Sequence, residues 1–279
     1  WYTLAMFPVI IGLLAIFIAW RFRHVRSQLA SWGAGQRALL VVAHPDDESL
    51  FFSTYINNAA RSGVEVHILC LSTGNASGLG QIRVAEMRQA CAALKVPESR
   101  LIIADDPQLQ DGFHPWSADA ICKHLAAAFK LIQPDELVTF DAGGVSGHPN
   151  HTSIYHAVRH FMTEMQSGQA CGCNGHSSGN GGGGGKRCRV YTLVTHQLLL
   201  KFTGPLGVLV LLGASCLASG PGSAVLFARD PSLSFRAMIR HRSQLVWYRL
   251  LFVLFSTYTY ANQLDLIGYL PLASRLGLP

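Results

Sequence analysis

Charged side chains are scarce in this chain. Lysine, arginine, aspartate and glutamate make up 14% of its 279 residues, whereas an ordinary soluble domain averages about 25%. Hydrophobic residues reach 49%, and the formal net charge is +6. Basic residues are not interleaved with aromatic ones in a patch, so we expect no nucleic-acid partner. A charge of this size suits an anionic membrane surface or a phosphate-bearing substrate, or it bears on solubility alone.

Cysteines do not form the pattern of a secreted disulfide scaffold. The chain has seven, an odd number, and three of them fall inside predicted strands or helices. This usage is typical of a reducing, cytosolic environment. Residues 166–188 are rich in glycine and cysteine, a composition that predicts a flexible insert. A metal site on Cys171, Cys173, His176 and Cys188 is a weaker alternative, because their spacing matches no regular zinc module.

Residues 2–20 contain no charged side chain. Their length matches the roughly 20 residues that a membrane-spanning helix needs, and Trp1, Tyr2 and Trp20 lie where interfacial aromatic residues belong. Arginines follow this segment, whereas a cleavable signal peptide carries its positive charge in front. We therefore expect a retained transmembrane anchor over residues 1–21, with the rest of the chain on the cytoplasmic side. A buried core helix is the alternative.

After a juxtamembrane linker over residues 22–37, short apolar runs alternate with segments of helical spacing. Strands are predicted at residues 39–43, 64–71, 101–104, 137–140 and 190–194, and helices near residues 50–59, 82–94, 117–132 and 151–165. Strands separated by helices predict an α/β fold with a mostly parallel, Rossmann-like sheet flanked by helices. We assign this domain to residues 38–262, preceded by the one transmembrane helix and followed by a tail over residues 263–279.

Three segments behind the insert are apolar or amphipathic. Residues 206–212 are too short to span a membrane, and the sequence leaves open a core strand or a surface that touches lipid. Residues 235–247 have the spacing of an amphipathic helix with a basic face. Residues 250–260 are aromatic-rich and have an interfacial character.

Polar side chains cluster where two predicted strands end. The sequence Ala-His-Pro-Asp-Asp-Glu at residues 43–48 follows the first strand, and Gly-His-Pro-Asn-His at residues 147–151 follows the fourth. In parallel sheets, ligands bind outside the carboxyl ends of the strands. We therefore expect these two motifs to meet at one edge of the sheet.

The residue types in these motifs suit a catalytic zinc site. Such a site has nitrogen and oxygen ligands and keeps one position for water, and His44, Asp47 and His151 can supply the three protein ligands. The bound ion would make hydroxide available near neutral pH. Asp46 is placed to act as general base, and His148 could stabilise a tetrahedral intermediate or protonate a departing amine. Hydrolysis of an amide needs this combination.

Each motif also has a structural interpretation when it is taken alone. A single histidine at a strand end is more often structural than a ligand, and aspartate and glutamate favour helix N-termini. His156 and His160 lie four apart on a predicted helix without the glutamate of a His-Glu-x-x-His motif, so we interpret them as surface or core residues. The glycines at residues 143–147 do not have the spacing of a dinucleotide-binding fingerprint.

In combination, the motifs resemble the N-acetylglucosaminylphosphatidylinositol de-N-acetylase family, the eukaryotic branch of the PIG-L/LmbE-like deacetylases. Residues 73–75, Thr-Gly-Asn, and residues 241–244, His-Arg-Ser-Gln, also match, and the second of these favours the membrane branch. The resemblance implies these roles: His44, Asp47 and His151 as ligands of Zn²⁺ or another divalent metal, Asp46 as base, and His148 as the residue that stabilises the oxyanion.

The resemblance also implies a substrate and a location. The family removes acetate from the glucosamine of the glycolipid N-acetylglucosaminylphosphatidylinositol during GPI-anchor synthesis, at the cytosolic face of the endoplasmic reticulum membrane. Arg83 and Asp111 correspond to positions that contact sugar or phosphate. Soluble relatives commonly carry aspartate where Asn150 stands, and such a carboxylate would keep a neighbouring imidazole protonated. Asp141 is a third candidate for substrate binding and a substitute for that missing carboxylate.

Two other functions stay open at this point. One is deacetylation of a soluble amino-sugar conjugate, which the predicted anchor and residues 241–244 disfavour. The other is an inactive membrane scaffold of the same fold, which an intact Asp46 beside a full ligand set disfavours. Oligomeric state and the physiological metal do not follow from the sequence.

Overall fold

The computed structural model describes residues 32–167, 187–217 and 222–271. The predicted anchor and most of the predicted insert lie outside these ranges. Within them, no helix is long and apolar enough to cross a membrane.

Seven strands and eleven helices are formed by the residues described. The strands are β1 (Arg37–Val42), β2 (Glu65–Cys70), β3 (Leu101–Ile103), β4 (Glu136–Phe140), β5 (Arg187–Leu193), β6 (Ser223–Phe227) and β7 (Ala261–Pro271). The first six helices are α1 (Asp47–Leu50), α2 (Ser53–Arg61), α3 (Gly80–Ala93), α4 (Ala118–Ile132), α5 (Gly144–Gly147) and α6 (Pro149–Ser167). The other five are α7 (Leu198–Lys201), α8 (Pro205–Leu217), α9 (Ser232–Met238), α10 (Trp247–Phe255) and α11 (Thr257–Tyr260).

The strands form a single mixed sheet in the order β3-β2-β1-β4-β5-β7-β6. The pairs from β3 to β5 are parallel, whereas β7 pairs antiparallel with both β5 and β6. The chain moves outward from β1 to β3 and then returns to place β4 on the other side of β1. With right-handed crossovers this reversal puts helices on both faces, where α3 packs against α9 and α4 against α6. The mostly parallel α/β fold predicted from the sequence is thus confirmed.

The central strands are mostly apolar because both faces of the sheet are covered. Residues 38–42 of β1 are fully buried, and every residue of β4 is buried as well. Strands enclosed on two sides lack the alternation of a half-exposed strand. This continuous apolar pattern made β1 and β4 recognisable in the sequence.

Three segments of the C-terminal region differ from the expectations. The helix predicted over residues 235–247 is broken: α9 ends at Met238, a 3₁₀ turn covers Arg242–Gln244, and α10 begins at Trp247. The side chains of His241 and Gln244 in this break make long-range contacts, given below. The strand alternative for residues 206–212 is wrong, since these residues belong to helix α8. Strand β7 extends to Pro271 and so includes the first part of the predicted tail.

Candidate metal centre

The two polar motifs meet where the strand order reverses. Strands β1 and β4 are neighbours and parallel, so the loops that follow them leave the same edge of the sheet. This position, between strands whose connections run in opposite directions, is where open α/β sheets bind ligands. It brings together the three side chains predicted to be metal ligands.

His44, Asp47 and His151 are buried and have ligand atoms that all lie within 4.8 Å of one another. His44 Nδ1 lies 3.9 Å from Asp47 Oδ2, and His151 Nε2 lies 3.3 Å from Asp47 Oδ1. Asp47 Oδ2 also accepts hydrogen bonds from the backbone N–H groups of Ala43 and His44, both at 2.9 Å. The turn after β1 therefore fixes the carboxylate between the two imidazoles.

The His151 ring presents an unshared nitrogen to this cluster. Its Nδ1 lies 3.0 Å from the carbonyl oxygen of Gly144 and so carries the proton. Its Nε2 is buried without a hydrogen-bond partner among the residues described. The ring also stacks on Phe140, with 4.0 Å between the ring centroids. Gly144 has a φ of +53°, and a Cβ there would lie 2.9 Å from His151 Cβ. Position 144 therefore requires a glycine, because a side chain there would be strained and would crowd His151.

The His44 ring is oriented in the same way, by Asn150. His44 Nε2 lies 2.9 Å from Asn150 Oδ1, and Asn150 Nδ2 donates to the carbonyl oxygen of His114 at 2.7 Å, which fixes the amide orientation. His44 Nε2 is then the protonated nitrogen, and Nδ1 keeps its lone pair on the side of Asp47. Hydrogen bonds of this kind set the tautomer of metal-binding histidines. Since two imidazole lone pairs and a carboxylate converge here, the residues fit a divalent metal.

The charges of the ligand set favour binding of a cation. Burial alone would raise the pKa of Asp47, but His151 and His44 outweigh burial and hold that pKa well below its ordinary value. Burial lowers the pKa of His151, yet the negative charge of Asp47 beside it raises that pKa overall. The carboxylate is therefore ionised, and a positive charge is stabilised beside it.

In a second group, His44, Asp111 and His148, the ligand atoms also lie within 4.8 Å of one another. It uses the other side of His44, where Nε2 lies 3.2 Å from Asp111 Oδ1. Asp111 and His148 are only partly buried, and His44 Nε2 already donates to Asn150. We therefore favour the first group as the ligand set.

Asp46 lies beside the ligands in a strained backbone conformation. Its φ is +132°, a region that residues other than glycine rarely adopt and that is often found at functional sites. Its Oδ2 is 2.5 Å from Arg249 Nη1 and its Oδ1 is 3.9 Å from Arg83 Nη2. Burial raises the pKa of Asp46, while Arg249 opposes that shift. Oδ1, without a hydrogen bond from any described residue, is the oxygen available to accept a proton.

His148 is half-buried at the mouth of the cluster. Burial, with His44 and His151 nearby, lowers its pKa to about 4, so the ring is neutral at pH 7. Its Nδ1 accepts the backbone N–H of Asn150 at 3.3 Å, which leaves the proton on Nε2. A neutral ring with a free N–H can donate to an oxyanion but carries no extra proton for an amine. A neutral ring favours the first of the two roles expected from the sequence, and both roles stay predictions.

Two of the three residues predicted to bind substrate pair with each other. Arg83 Nη1 donates to Asp111 Oδ2 at 2.8 Å and to the carbonyl of Gly74 at 2.7 Å, and Nη2 donates to the carbonyl of Pro45 at 3.1 Å. Arg83 therefore links the loops after β1, β2 and β3. A substrate contact for either residue stays a prediction, because the protein itself occupies these terminal nitrogens.

Asp141 is engaged by the turn that leads into α5. Its Oδ1 accepts from the hydroxyl of Thr195 and from the N–H groups of Gly143 and Gly144, and its Oδ2 accepts from the N–H of Thr195. The carboxylates that raise the pKa of His148 are instead those of Asp47 and Asp111. Asp141 therefore holds this loop, and its predicted roles in substrate binding and in place of an acidic residue at position 150 stay predictions.

A set of contacts from the C-terminal region holds the loop that contains Asp46, and these contacts were not predicted from the sequence. Glu48 and His241 form an ion pair at 2.7 Å with both side chains fully buried, and Glu48 also accepts the backbone N–H of Asp46. Gln244 donates to the carbonyl of Pro45 at 2.9 Å and accepts from Arg249 at 2.8 Å. The His-Arg-Ser-Gln motif was the available signal, but nothing local showed what it touches.

Several known proteins are similar to this chain in sequence. The family model described as "PIG-L: GlcNAc-PI de-N-acetylase" matches residues 39–162. N-acetylglucosaminyl-phosphatidylinositol de-N-acetylase of Bos taurus is 35% identical, over 95% of this chain and 96% of that protein. The chain belongs to the GlcNAc-PI de-N-acetylase family. The probable family member of Dictyostelium discoideum is 30% identical, over 82% of this chain and 92% of that protein.

Solved structures of more distant deacetylases share the fold. An N,N'-diacetylchitobiose deacetylase from Pyrococcus horikoshii superposes with a TM-score of 0.57 at 19% identity, covering 83% of this chain and 84% of that one. The family expected from the motifs is confirmed, and its members' α/β fold is the one described above. The residue roles remain those that the geometry supports.

Proposed function

We propose that this chain hydrolyses the N-acetyl group of N-acetylglucosaminylphosphatidylinositol and releases acetate, with zinc as its metal. One observation carries the proposal: the lone-pair nitrogens of His44 and His151 converge on the Asp47 carboxylate, beside a further carboxylate that no ligand role requires. The names of the relatives give the substrate, since the Bos taurus protein is a de-N-acetylase of this glycolipid.

A divalent metal on His44, Asp47 and His151 would supply Lewis acidity, which lowers the pKa of water toward neutrality. Asp46 Oδ1 then takes the proton of the attacking water, while Oδ2 stays paired with Arg249. Because burial raises the pKa of Asp46, this carboxylate is a better proton acceptor than an exposed one. His148 Nε2–H donates to the oxyanion that forms from the acetamide carbonyl.

Membrane placement is part of the same proposal. The substrate is a lipid, and residues 2–20 are apolar and free of charge. We therefore propose that residues 1–21 anchor the chain in the endoplasmic reticulum membrane with its α/β domain in the cytosol.

The test is acetate release from the glycolipid by membranes that carry the full chain, with and without a chelator. We expect release that the chelator abolishes and added Zn²⁺ restores, and we expect Asp46→Asn to lower it about 10²- to 10⁴-fold. Acetate release that resists chelation, or an Asp46→Asn variant of full activity, contradicts the mechanism. Equal turnover of a soluble amino-sugar conjugate would favour the alternative substrate class, and bound zinc without turnover would favour a scaffold.

A further inference from the structure

Helices α7, α8 and α10 expose large apolar side chains on the surface. Leu199 of α7 is 85% exposed and Trp247 of α10 is 73% exposed. We define the apolar face by its exposed residues: Leu198, Leu199, Phe202, Leu206, Leu209, Val210, Leu251, Leu254 and Phe255. Single exposed apolar residues are ordinary, but a run on adjacent helices indicates an interaction site.

The helices of the apolar face are in contact. The rings of Phe202 and Phe252 meet edge to face, with 5.8 Å between their centroids. A Cβ placed on Gly204, between α7 and α8, would lie 3.5 Å from the Cα and carbonyl oxygen of Phe255. The exposed residues of α7 and α8 thus adjoin the C-terminal end of α10 and form one surface.

The same helices touch the loops of the metal centre. Arg249 in the first turns of α10 pairs with Asp46, and the Lys201 ammonium at the end of α7 donates to the carbonyl of Val145 in α5. Phe113 is 81% exposed, and its ring centroid lies 5.6 Å from that of His148. The apolar face is therefore continuous with the rim of the proposed active site.

The segments around the apolar face contain no charged residues, whereas exposed arginines lie at its border. No charged residue occurs in residues 202–228 or 250–264. Just before α10, Arg240 and Arg242 are exposed, and neither guanidinium has an ion-pair partner among the described residues. Trp247 and Tyr248 lie between these arginines and the apolar residues of α10. Leucine and phenylalanine on one side, with tryptophan and arginine at the border, are typical of a helix that lies in a membrane interface.

We propose that the apolar face rests on a bilayer, with Arg240 and Arg242 at anionic headgroups, so that a lipid headgroup reaches the metal centre while its acyl chains stay in the membrane. This inference rests on the proposed glycolipid substrate. At 13 residues, α8 is about 20 Å long, too short to cross the roughly 30 Å of hydrocarbon, so it would lie in the plane of the interface.

The test compares two substrates with the same headgroup, using the full chain. One is N-acetylglucosaminylphosphatidylinositol in vesicles of phosphatidylcholine and phosphatidylinositol, and the other is its water-soluble headgroup without acyl chains. The double variant Leu251→Ser, Leu254→Ser should lower acetate release from vesicles at least about tenfold and leave the soluble headgroup unaffected. The matched control is Leu131→Ser, since Leu131 is 73% exposed on the distant helix α4, and it should change neither rate.

Hydrogen exchange gives a readout that is independent of activity. Residues 198–213 and 247–255 should become protected when vesicles are added, and residues 118–132 should not. Protection of equal size without vesicles would mean that protein covers the face, either residues 1–21 or a second copy, and would overturn the proposal. An equal loss on both substrates, or no loss on vesicles, would also overturn it. If the wild-type chain releases acetate from neither substrate, the proposed function fails, and the exchange result alone then decides on the surface.

Discussion

Two regions of this molecule contribute to the metal centre in different ways. The parallel half of the sheet, with the loops after β1 and β4, supplies His44, Asp47 and His151 as the proposed ligands, Asp46 as the proposed base, and His148. The C-terminal region from β6 to β7 supplies no ligand but holds the base loop through Glu48–His241, Gln244–Pro45 and Arg249–Asp46. The reacting groups are thus close in sequence to their strands, whereas their support comes from residues about 200 positions away.

Because of this difference, we expect metal binding and folding stability to respond to different substitutions. Removing a ligand should abolish metal binding, because the site loses one of its three coordinating side chains. Removing a supporting residue should destabilise the fold first, because it leaves a buried charge without its partner.

The largest effect is expected for His151→Ala. The variant loses one of two imidazole ligands, so bound metal and acetate release should both fall below detection while the chain stays folded. Metal content measured by elemental analysis, together with circular dichroism, checks this. His156→Ala is the matched control, since His156 is exposed on the same helix α6, and it should retain both. Full metal content in His151→Ala would contradict the ligand assignment.

The second largest effect is expected for His241, which helps to hold the loop that contains Asp46. His241→Ala leaves Glu48 buried and unpaired, which should lower the free energy of unfolding by about 3–5 kcal/mol. Chemical denaturation of the metal-free chain measures it. His160→Ala removes a surface pair with Glu164 at 3.2 Å and should cost at most about 1 kcal/mol. A loss in His241→Ala no larger than in this control would show that the buried pair contributes little.

The stabilisation from His241 should also depend on pH. Burial lowers the pKa of His241, but Glu48 outweighs burial and raises it above that of the unfolded chain. The contribution is therefore fully present below about pH 6.5 and is lost as pH rises through the folded-state pKa. The stability difference between wild type and His241→Ala should narrow with increasing pH, and a difference that widens would contradict the charge assignment.

A third, smaller effect, on metal affinity, is expected for Asn150 in the parallel half of the sheet. Asn150→Ala removes the acceptor that orients His44, and loss of such an outer hydrogen bond typically weakens metal binding about 10- to 100-fold. Competition with a chromophoric chelator measures the dissociation constant. Asn150→Asp keeps an oxygen for His44 Nε2 but loses the donor to the carbonyl of His114, so it should restore metal affinity at some expense of stability. Unchanged metal affinity in Asn150→Ala would remove Asn150 from this role.

The smallest effect is expected for Arg249→Gln, which connects the two regions. Arg249 opposes the burial that raises the pKa of Asp46, so its removal should raise that pKa further. The acidic limb of the profile of kcat/KM against pH should move to higher pH, measured on the water-soluble headgroup. Arg236→Gln, an exposed arginine of α9 paired with Asp230, should leave the profile unchanged. A limb that moves to lower pH, or not at all, would contradict the coupling.

The sequence made the parallel half predictable because its signals are local. Mostly apolar runs predicted β1 and β4, and the rule that ligands bind at the carboxyl ends of parallel strands predicted that their polar ends meet. Metal-binding residue types at those ends then identified His44, Asp47 and His151.

The supporting contacts could not be predicted because no local pattern encodes them. Residues 235–247 have helical spacing, yet the helix is broken where His241 contacts Glu48 and Gln244 contacts the carbonyl of Pro45. Likewise, Asn150 looked like a departure from an acidic residue, but its amide is needed to accept from His44 and donate to His114 at once. Such tertiary contacts outweigh local propensity.

The most direct test of the account is anomalous diffraction at the zinc edge from crystals of the full chain grown with Zn²⁺. We predict one strong peak within about 2.0–2.2 Å of His44 Nδ1, His151 Nε2 and an Asp47 oxygen. A peak at His44 Nε2 with Asp111 and His148, or no peak at this edge of the sheet, would contradict it.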